Sequence, residues 1–124
     1  MNGQKGQFGQ VNYSTAKAGI HGFTMSLAQE IATKGVTVNT VSPGLIKTPR
    51  WQTQTAEWYA KIAESYPVRR IGEPSEIGSV IQFLATDQSR NMTGQILVAD
   101  GGLTIQSPSP VSAEMAGWSR DMAN

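Results

Sequence analysis

The chain has no cysteine and a single histidine, His21. Without thiols there is neither a disulfide framework nor a cysteine-held zinc cluster, and one imidazole is too few for a histidine site. No metal is expected. His21 falls on the polar side of the helical pattern around it and is expected at the surface. Neither sign of charge is in excess, with 10 Lys and Arg against 9 Asp and Glu and a net charge of +1. That leaves no basic field for nucleic acid and no polybasic patch for a membrane surface. No apolar run approaches the roughly 18 residues of a membrane-spanning helix. The first residues, Met1 to Gly6, lack the apolar core of a secretory signal. Asn12-Tyr13-Ser14 and Asn91-Met92-Thr93 match the glycosylation sequon by chance in a chain expected in the cytoplasm. A length of 124 residues suits one domain.

What the sequence does have is Tyr13-Ser14-Thr15-Ala16-Lys17 at the start of a helical pattern. Residues four apart lie on one helix face, one turn from each other. An ammonium held beside a phenol favours the phenolate. The pair therefore suits a general acid and base that protonates a carbonyl oxygen during reduction. Two solvated residues on a helix would show the same spacing.

The pattern predicts a helix over 12–33, with Asn12 as N-cap and an apolar stripe of Ala16, Ile20, Phe23, Leu27 and Ile31. Lys34-Gly35 closes it, with Gly35 in the left-handed position. Gly19 and Gly22 each cost roughly 1 kcal/mol in a helix relative to alanine, which suggests close approach of another backbone. Residues 36–42 are rich in β-branched side chains and read as a strand ended by Pro43-Gly44. Residues 49–72 read as a mobile segment with a short helix near 55–66, concentrating Trp51, Trp58, Tyr59 and Tyr66. Glu73-Pro74-Ser75-Glu76 opens a helix whose apolar face is Ile77, Val80, Ile81 and Leu84. Ile96–Ala99 reads as a strand buried on both faces, ended by Asp100-Gly101-Gly102. Helix, strand, helix, strand is the order of an α/β fold with a parallel sheet, the last three forming one right-handed βαβ unit. Ligands of such sheets bind beyond the carboxyl ends of the strands, where Pro43-Gly44 falls. From Gln106 the chain loses periodicity, and 106–124 reads as a disordered tail. Met115, Trp118 and Met122 offer it a way to dock.

Taken together, Gly6-Gln7-Phe8-Gly9-Gln10, Tyr13 with Lys17, Val38-Asn39-Thr40-Val41-Ser42-Pro43-Gly44 and Asp100-Gly101-Gly102 resemble the short-chain dehydrogenase/reductase family. The resemblance runs from about Asn2 to Leu103 and matches the C-terminal half of that family's Rossmann-like doubly wound sheet, so 1–105 is expected to be part of one such domain. Within the family, Gly6 to Gly44 looks most like acetoacetyl-CoA reductases, close to 3-oxoacyl-carrier-protein reductases. The resemblance implies NADP(H) or NAD(H) as cofactor and an acyl-CoA or acyl-carrier-protein thioester as substrate. It makes Tyr13 and Lys17 catalytic, with Lys17 also holding the nicotinamide ribose. It places Pro43, Gly44, Ile46 and Thr48 at the nicotinamide, Ile46 through its backbone and Thr48 through its hydroxyl. Gln7, Phe8, Gln10 and Leu45 become substrate contacts, 49–72 a substrate lid, and Arg69-Arg70 a pair that meets coenzyme phosphates or solvent. Leu45 departs from the aromatic residue of many acetoacetyl-CoA reductases. The family's long helix packs on its counterpart in a second subunit, which implies a homo-oligomer or association with full-length reductase.

The family's Gly-rich nucleotide loop and catalytic asparagine have no counterpart in these residues, so the resemblance implies an NAD(P)-dependent oxidoreductase of which this chain alone is expected to be inactive. Its catalytic serine would fall immediately before Met1, where many relatives have valine at the Met1 position. A GUG codon read as a start gives that substitution, so an internal start or truncated gene is expected. Upstream DNA without reductase sequence in any frame would refute this.

Overall fold

The computed structural model describes residues 3–106. The chain runs through α1 (Val11–Ile31), β1 (Thr40–Pro43), α2 (Ala56–Glu64), α3 (Pro74–Leu84) and β2 (Ile96–Ala99), with 3-10 turns between them and after β2. β1 and β2 pair in parallel, Thr40 opposite Ile96 and Pro43 opposite Ala99. The ladder extends to Thr40 N–H on Gln95 O (2.9 Å) and Gly44 N–H on Ala99 O (3.1 Å).

The strand expected over 36–42 begins only at Thr40, because side chains replace the ladder before it. Val38 N–H donates to Thr93 Oγ1 (3.0 Å). The Asn39 amide spans the gap, donating to Met92 O (2.8 Å) and accepting from Gln95 N–H (3.0 Å). Such side chain–backbone bonds compete with regular pairing.

α1 lies on the sheet through small and polar residues. Thr24 and Ala28 are its buried positions. Thr24 Oγ1 donates to Ile20 O (2.8 Å) and shares a short hydrogen bond with Thr40 Oγ1. Ala28 Cβ sits 3.6 Å from where a Cβ on Gly94 would stand. The expected stripe is therefore not the buried face: Ile20 and Phe23 are exposed, and only its far end, Leu27 and Ile31, is partly covered. α1 carries apolar residues on several faces, so periodicity alone did not select the side that small residues bring close to Thr40. His21 is partly buried rather than at the surface. The N-cap is Gln10, whose carbonyl accepts from Ser14 N–H (2.8 Å), while Asn12 lies inside the helix and accepts from Tyr13 N–H. Gly35 closes the following turn at φ +74°, as expected. No described residue comes within 4 Å of a Cβ placed on Gly19 or Gly22, so this chain itself makes no close approach there.

Thr55 caps α2, accepting from Trp58 N–H (3.1 Å). α3 opens on Pro74 with a reciprocal capping box between Glu73 and Glu76. Two other expectations fail on exposure. Ile81 of α3 and Val98 of β2 are open to solvent, because a two-stranded sheet offers too little surface to cover both sides. Apart from Gln106, the expected tail lies outside the described residues.

Among the described residues, the buried apolar side chains are Ala28, Tyr66 and Ile71. So small a core does little against the entropy of ordering the chain. The 124-residue chain alone should therefore unfold over a broad, weakly cooperative transition in calorimetry. A sharp, concentration-independent transition of a monodisperse monomer would contradict this.

Candidate active site

α1 runs antiparallel to the strands. Thr24 bonds the first residue of β1, and Ala28, further along the helix, meets Gly94, which precedes β2. From Thr24 back to Tyr13 the helix rises about 16 Å at 1.5 Å per residue. From Thr40 forward to Pro43 the strand advances about 10 Å at 3.3 Å per residue, and the turn follows. Tyr13, Lys17 and the Pro43–Thr48 turn therefore lie at the same, carboxyl end of the sheet.

The Tyr13–Lys17 pair forms as its spacing predicts. Lys17 Nζ lies over the Tyr13 ring, 5.3 Å from its centroid, and Tyr13 is half exposed. Between them, the Ser14 hydroxyl is enclosed without a hydrogen-bond partner among the described residues. The loop before α1 crosses this helix at Gly3, where a Cβ would stand 2.7 Å from the Lys17 carbonyl carbon. Further along that loop, Gln7 and Phe8 are exposed, and Gln10 is partly buried at the helix start.

The turn after β1 is held from three sides. Gly44 lets the chain pass over β2, since a Cβ there would lie 2.9 Å from Asp100 Cα. Leu45 N–H donates to Tyr66 Oη (3.1 Å), and Leu45 O accepts from Gly72 N–H (3.1 Å). Lys47 N–H donates to Gly72 O (2.9 Å), and the Lys47 ammonium pairs with Glu73. These bonds bypass Ile46. Its N–H and C=O, and the Thr48 hydroxyl, make no hydrogen bond among the described residues.

Gly44, Leu45 and Ile46 line a cleft of about 220 Å³, closed by Tyr66, Val68 and α3. Tyr13, Lys17, Gln7, Phe8, Gln10 and Thr48 do not line it. Tyr13 and Lys17 thus share the sheet's carboxyl end with Gly44, Leu45 and Ile46 but not their cavity. The aromatic residues of the 49–72 segment also separate. Trp51 and Trp58 stack with centroids 5.6 Å apart, Tyr59 meets Trp58 edge-on, and Tyr59 Oη donates to Trp51 O (2.7 Å). Only Tyr66 of the four reaches the cleft. Its bond to the turn was not legible in the sequence, because no spacing signal links positions 45 and 66.

Arg70 and Glu76 form a bidentate pair (2.6 and 2.8 Å), so Arg70 is engaged within the chain, while Arg69 donates to Glu64 O (2.9 Å). The Arg70 guanidinium, with the Glu73 backbone N–H, holds the Glu76 carboxyl at about 2. Burial pushes the Asp100 carboxyl up, but bonds from Thr104 and Gly102 outweigh it and hold it below its ordinary value. Asp100 thereby fixes the turn after β2 through Gly102 N–H and Thr104 N–H, both at 2.9 Å. No group of acidic or histidine side chains among the described residues is arranged to hold a metal. No described helix is long and apolar enough to cross a membrane.

An α/β frame with Tyr13, Lys17 and a Pro-Gly turn at its carboxyl end defines a class, and the comparisons agree. The family described as enoyl-(acyl carrier protein) reductase matches residues 1–104, and the chain belongs to the short-chain dehydrogenase/reductase family. Over 103 residues it is 56% identical to an acetoacetyl-CoA reductase of Cupriavidus necator, covering 83% of this chain and 42% of that protein. It is 44% identical over 101 residues to a 3-oxoacyl-[acyl-carrier-protein] reductase of Vibrio harveyi, covering 82% and 41%. A short chain dehydrogenase family protein from Francisella tularensis superposes with a TM-score of 0.77 at 29% identity, over 85% of this chain and 48% of that one. The chain thus spans less than half the length of these relatives. The fold is part of a Rossmann-type short-chain dehydrogenase sheet.

Glu76 gives a pH prediction. Its carboxyl titrates at about 2 when folded, below the roughly 4.3 of an unfolded glutamate. It therefore favours folding above about pH 4.3, and this contribution fades as pH falls towards 2. In a pH series of unfolding midpoints, Glu76→Gln should lower the midpoint at pH 7 and narrow its gap to the parent in acid. A gap that stays constant with pH would show that the ion pair does not contribute.

Proposed function

We propose that this chain carries the acid–base half of an NAD(P)-dependent reductase that converts a 3-oxoacyl thioester, such as acetoacetyl-CoA, to the 3-hydroxyacyl thioester. The observation that supports it best is the placement of Tyr13 and Lys17 at the same sheet end as the unpartnered main-chain groups of Ile46. The residues fit the nicotinamide end of the cofactor. Ile46 offers one donor and one acceptor to a carboxamide, Thr48 adds a hydroxyl, and Lys17 offers an ammonium to ribose hydroxyls. The cofactor, when bound, supplies a hydride to the carbonyl carbon. Tyr13 donates its phenolic proton to the carbonyl oxygen, and Lys17 stabilises the resulting phenolate. Gly44 brings the turn close to the sheet, and Leu45 borders the thioester. Gln7, Phe8 and Gln10 contact the substrate from the loop before α1. The cytoplasm is the compartment proposed.

The 3-oxoacyl reading rests on the names of the relatives, whereas the family description names enoyl reduction, so the assay must separate the two. A second reading follows from the short span. The chain is then a non-catalytic piece that joins full-length reductase subunits through α1 and β2, whose apolar residues Phe23 and Val98 are exposed.

A complete short-chain reductase that includes this chain should oxidise NADPH or NADH with acetoacetyl-CoA and not with crotonyl-CoA, and Tyr13→Phe should lower the rate by at least about a hundredfold, while the 124-residue chain alone should turn over neither. Turnover with crotonyl-CoA alone would overturn the 3-oxoacyl assignment. No turnover alone, together with capture of a co-expressed full-length reductase, would favour the second reading.

A further inference from the structure

Tyr66 is one of the few buried large side chains, 5% exposed, and it belongs to two places at once. Its main chain ends α2: its N–H donates to Ala63 O (3.1 Å), and its carbonyl accepts from Arg69 N–H (2.9 Å). Its hydroxyl belongs to the turn after β1, where it accepts Leu45 N–H (3.1 Å). The ring is seated on Gly101, where a Cβ would lie 3.3 Å from Tyr66 Cδ1 and 2.6 Å from Val68 Cγ2. Gly102 makes the same room for Pro67. The glycine pair that ends β2 is thus the seat of the Tyr66–Val68 segment. Gly72 N–H bonds the Leu45 carbonyl, in the peptide that carries Ile46 N–H, and Gly72 O accepts Lys47 N–H, in the peptide that carries the Ile46 carbonyl. Tyr66 holds the peptide just before these, so Leu45 is anchored on both sides and the Ile46 groups face away from Gly72.

We propose that Tyr66 is a positioning residue: through Leu45 it sets the Ile46 main chain to receive the nicotinamide, and it couples the 49–65 excursion to that turn. The inference rests on the reductase reading for its ligand, but not for its mechanical part. An excursion that shifts α2 moves Tyr66, and with it the acceptor that Leu45 N–H has among the described residues. Removing Oη leaves that partly buried N–H without its partner, a local cost that touches neither Tyr13 nor Lys17.

The test is Tyr66→Phe in the full chain, which keeps the ring on Gly101. Amide hydrogen exchange at Leu45 should quicken by about five- to tenfold, while Ala28 and Val41 exchange as in the parent. In a complete reductase that includes this chain, the Kd for NADPH, followed by its fluorescence, and the KM for the same cofactor should rise several-fold with kcat nearly unchanged. Parent-like exchange at Leu45 would overturn the coupling. A fall in kcat at constant KM would overturn the positioning role. If the complete reductase binds no nicotinamide cofactor, the reductase reading fails, and the exchange rates alone decide whether Tyr66 couples the two segments.

Discussion

The parallel pairing of β1 with β2 is the constraint on which the rest of this structure depends. Each strand is only four residues long, and a pair that short is marginal without support at its ends. At the amino end the support is Asn39 and Thr93, which stand in for ladder bonds. At the carboxyl end it is the approach of Gly44 to Asp100, which only a residue without a Cβ permits. Asp100 in turn holds the chain after β2 through two backbone N–H groups. Side chains with little apolar surface thus do the fixing that a larger sheet would do by burial.

Position follows from that frame. The Thr24–Thr40 contact sets how far α1 slides along β1, and so sets how high Tyr13 and Lys17 stand beside the Pro43–Thr48 turn. A polar contact suits this task, because a hydroxyl pair has one distance and one direction, whereas an apolar stripe tolerates sliding. The turn is then tightened from the far side by Gly72 and Tyr66. Two segments far apart in sequence, the helix before β1 and the return after α2, meet the same end of one strand.

Much of this was legible in the sequence because it is local. α1, the Gly35 closure, α2 and the Glu73–Glu76 opening of α3 each follow from residues a few positions apart. That Tyr13 and Lys17 stand together was legible for the same reason, one helical turn fixing their neighbourhood. Apart from the cap of α1, which fell two residues earlier than expected, the failures are of longer range. The buried face of α1 was misread because its apolar residues point several ways, and the choice was made by Thr40, outside the helix. The start of β1 was misplaced because Val38 and Asn39 have strand-like neighbours but spend their bonds on Thr93, Met92 and Gln95. Tyr66 looked like one more aromatic residue of a lid, since nothing in its own surroundings points to Leu45.

The two surfaces of the molecule differ in what they leave unsatisfied. At the carboxyl end, among the described residues, it is hydrogen-bonding capacity: the Ile46 main chain and the Thr48 hydroxyl. Along the flanks it is apolar area, with Phe23 64% exposed on α1, Ile81 54% on α3 and Val98 42% on β2. Water meets the first need cheaply and the second not at all. The carboxyl end and the flanks therefore differ in kind: exposed polar groups at the first, exposed apolar area at the second, and the apolar area is the costlier to leave in water.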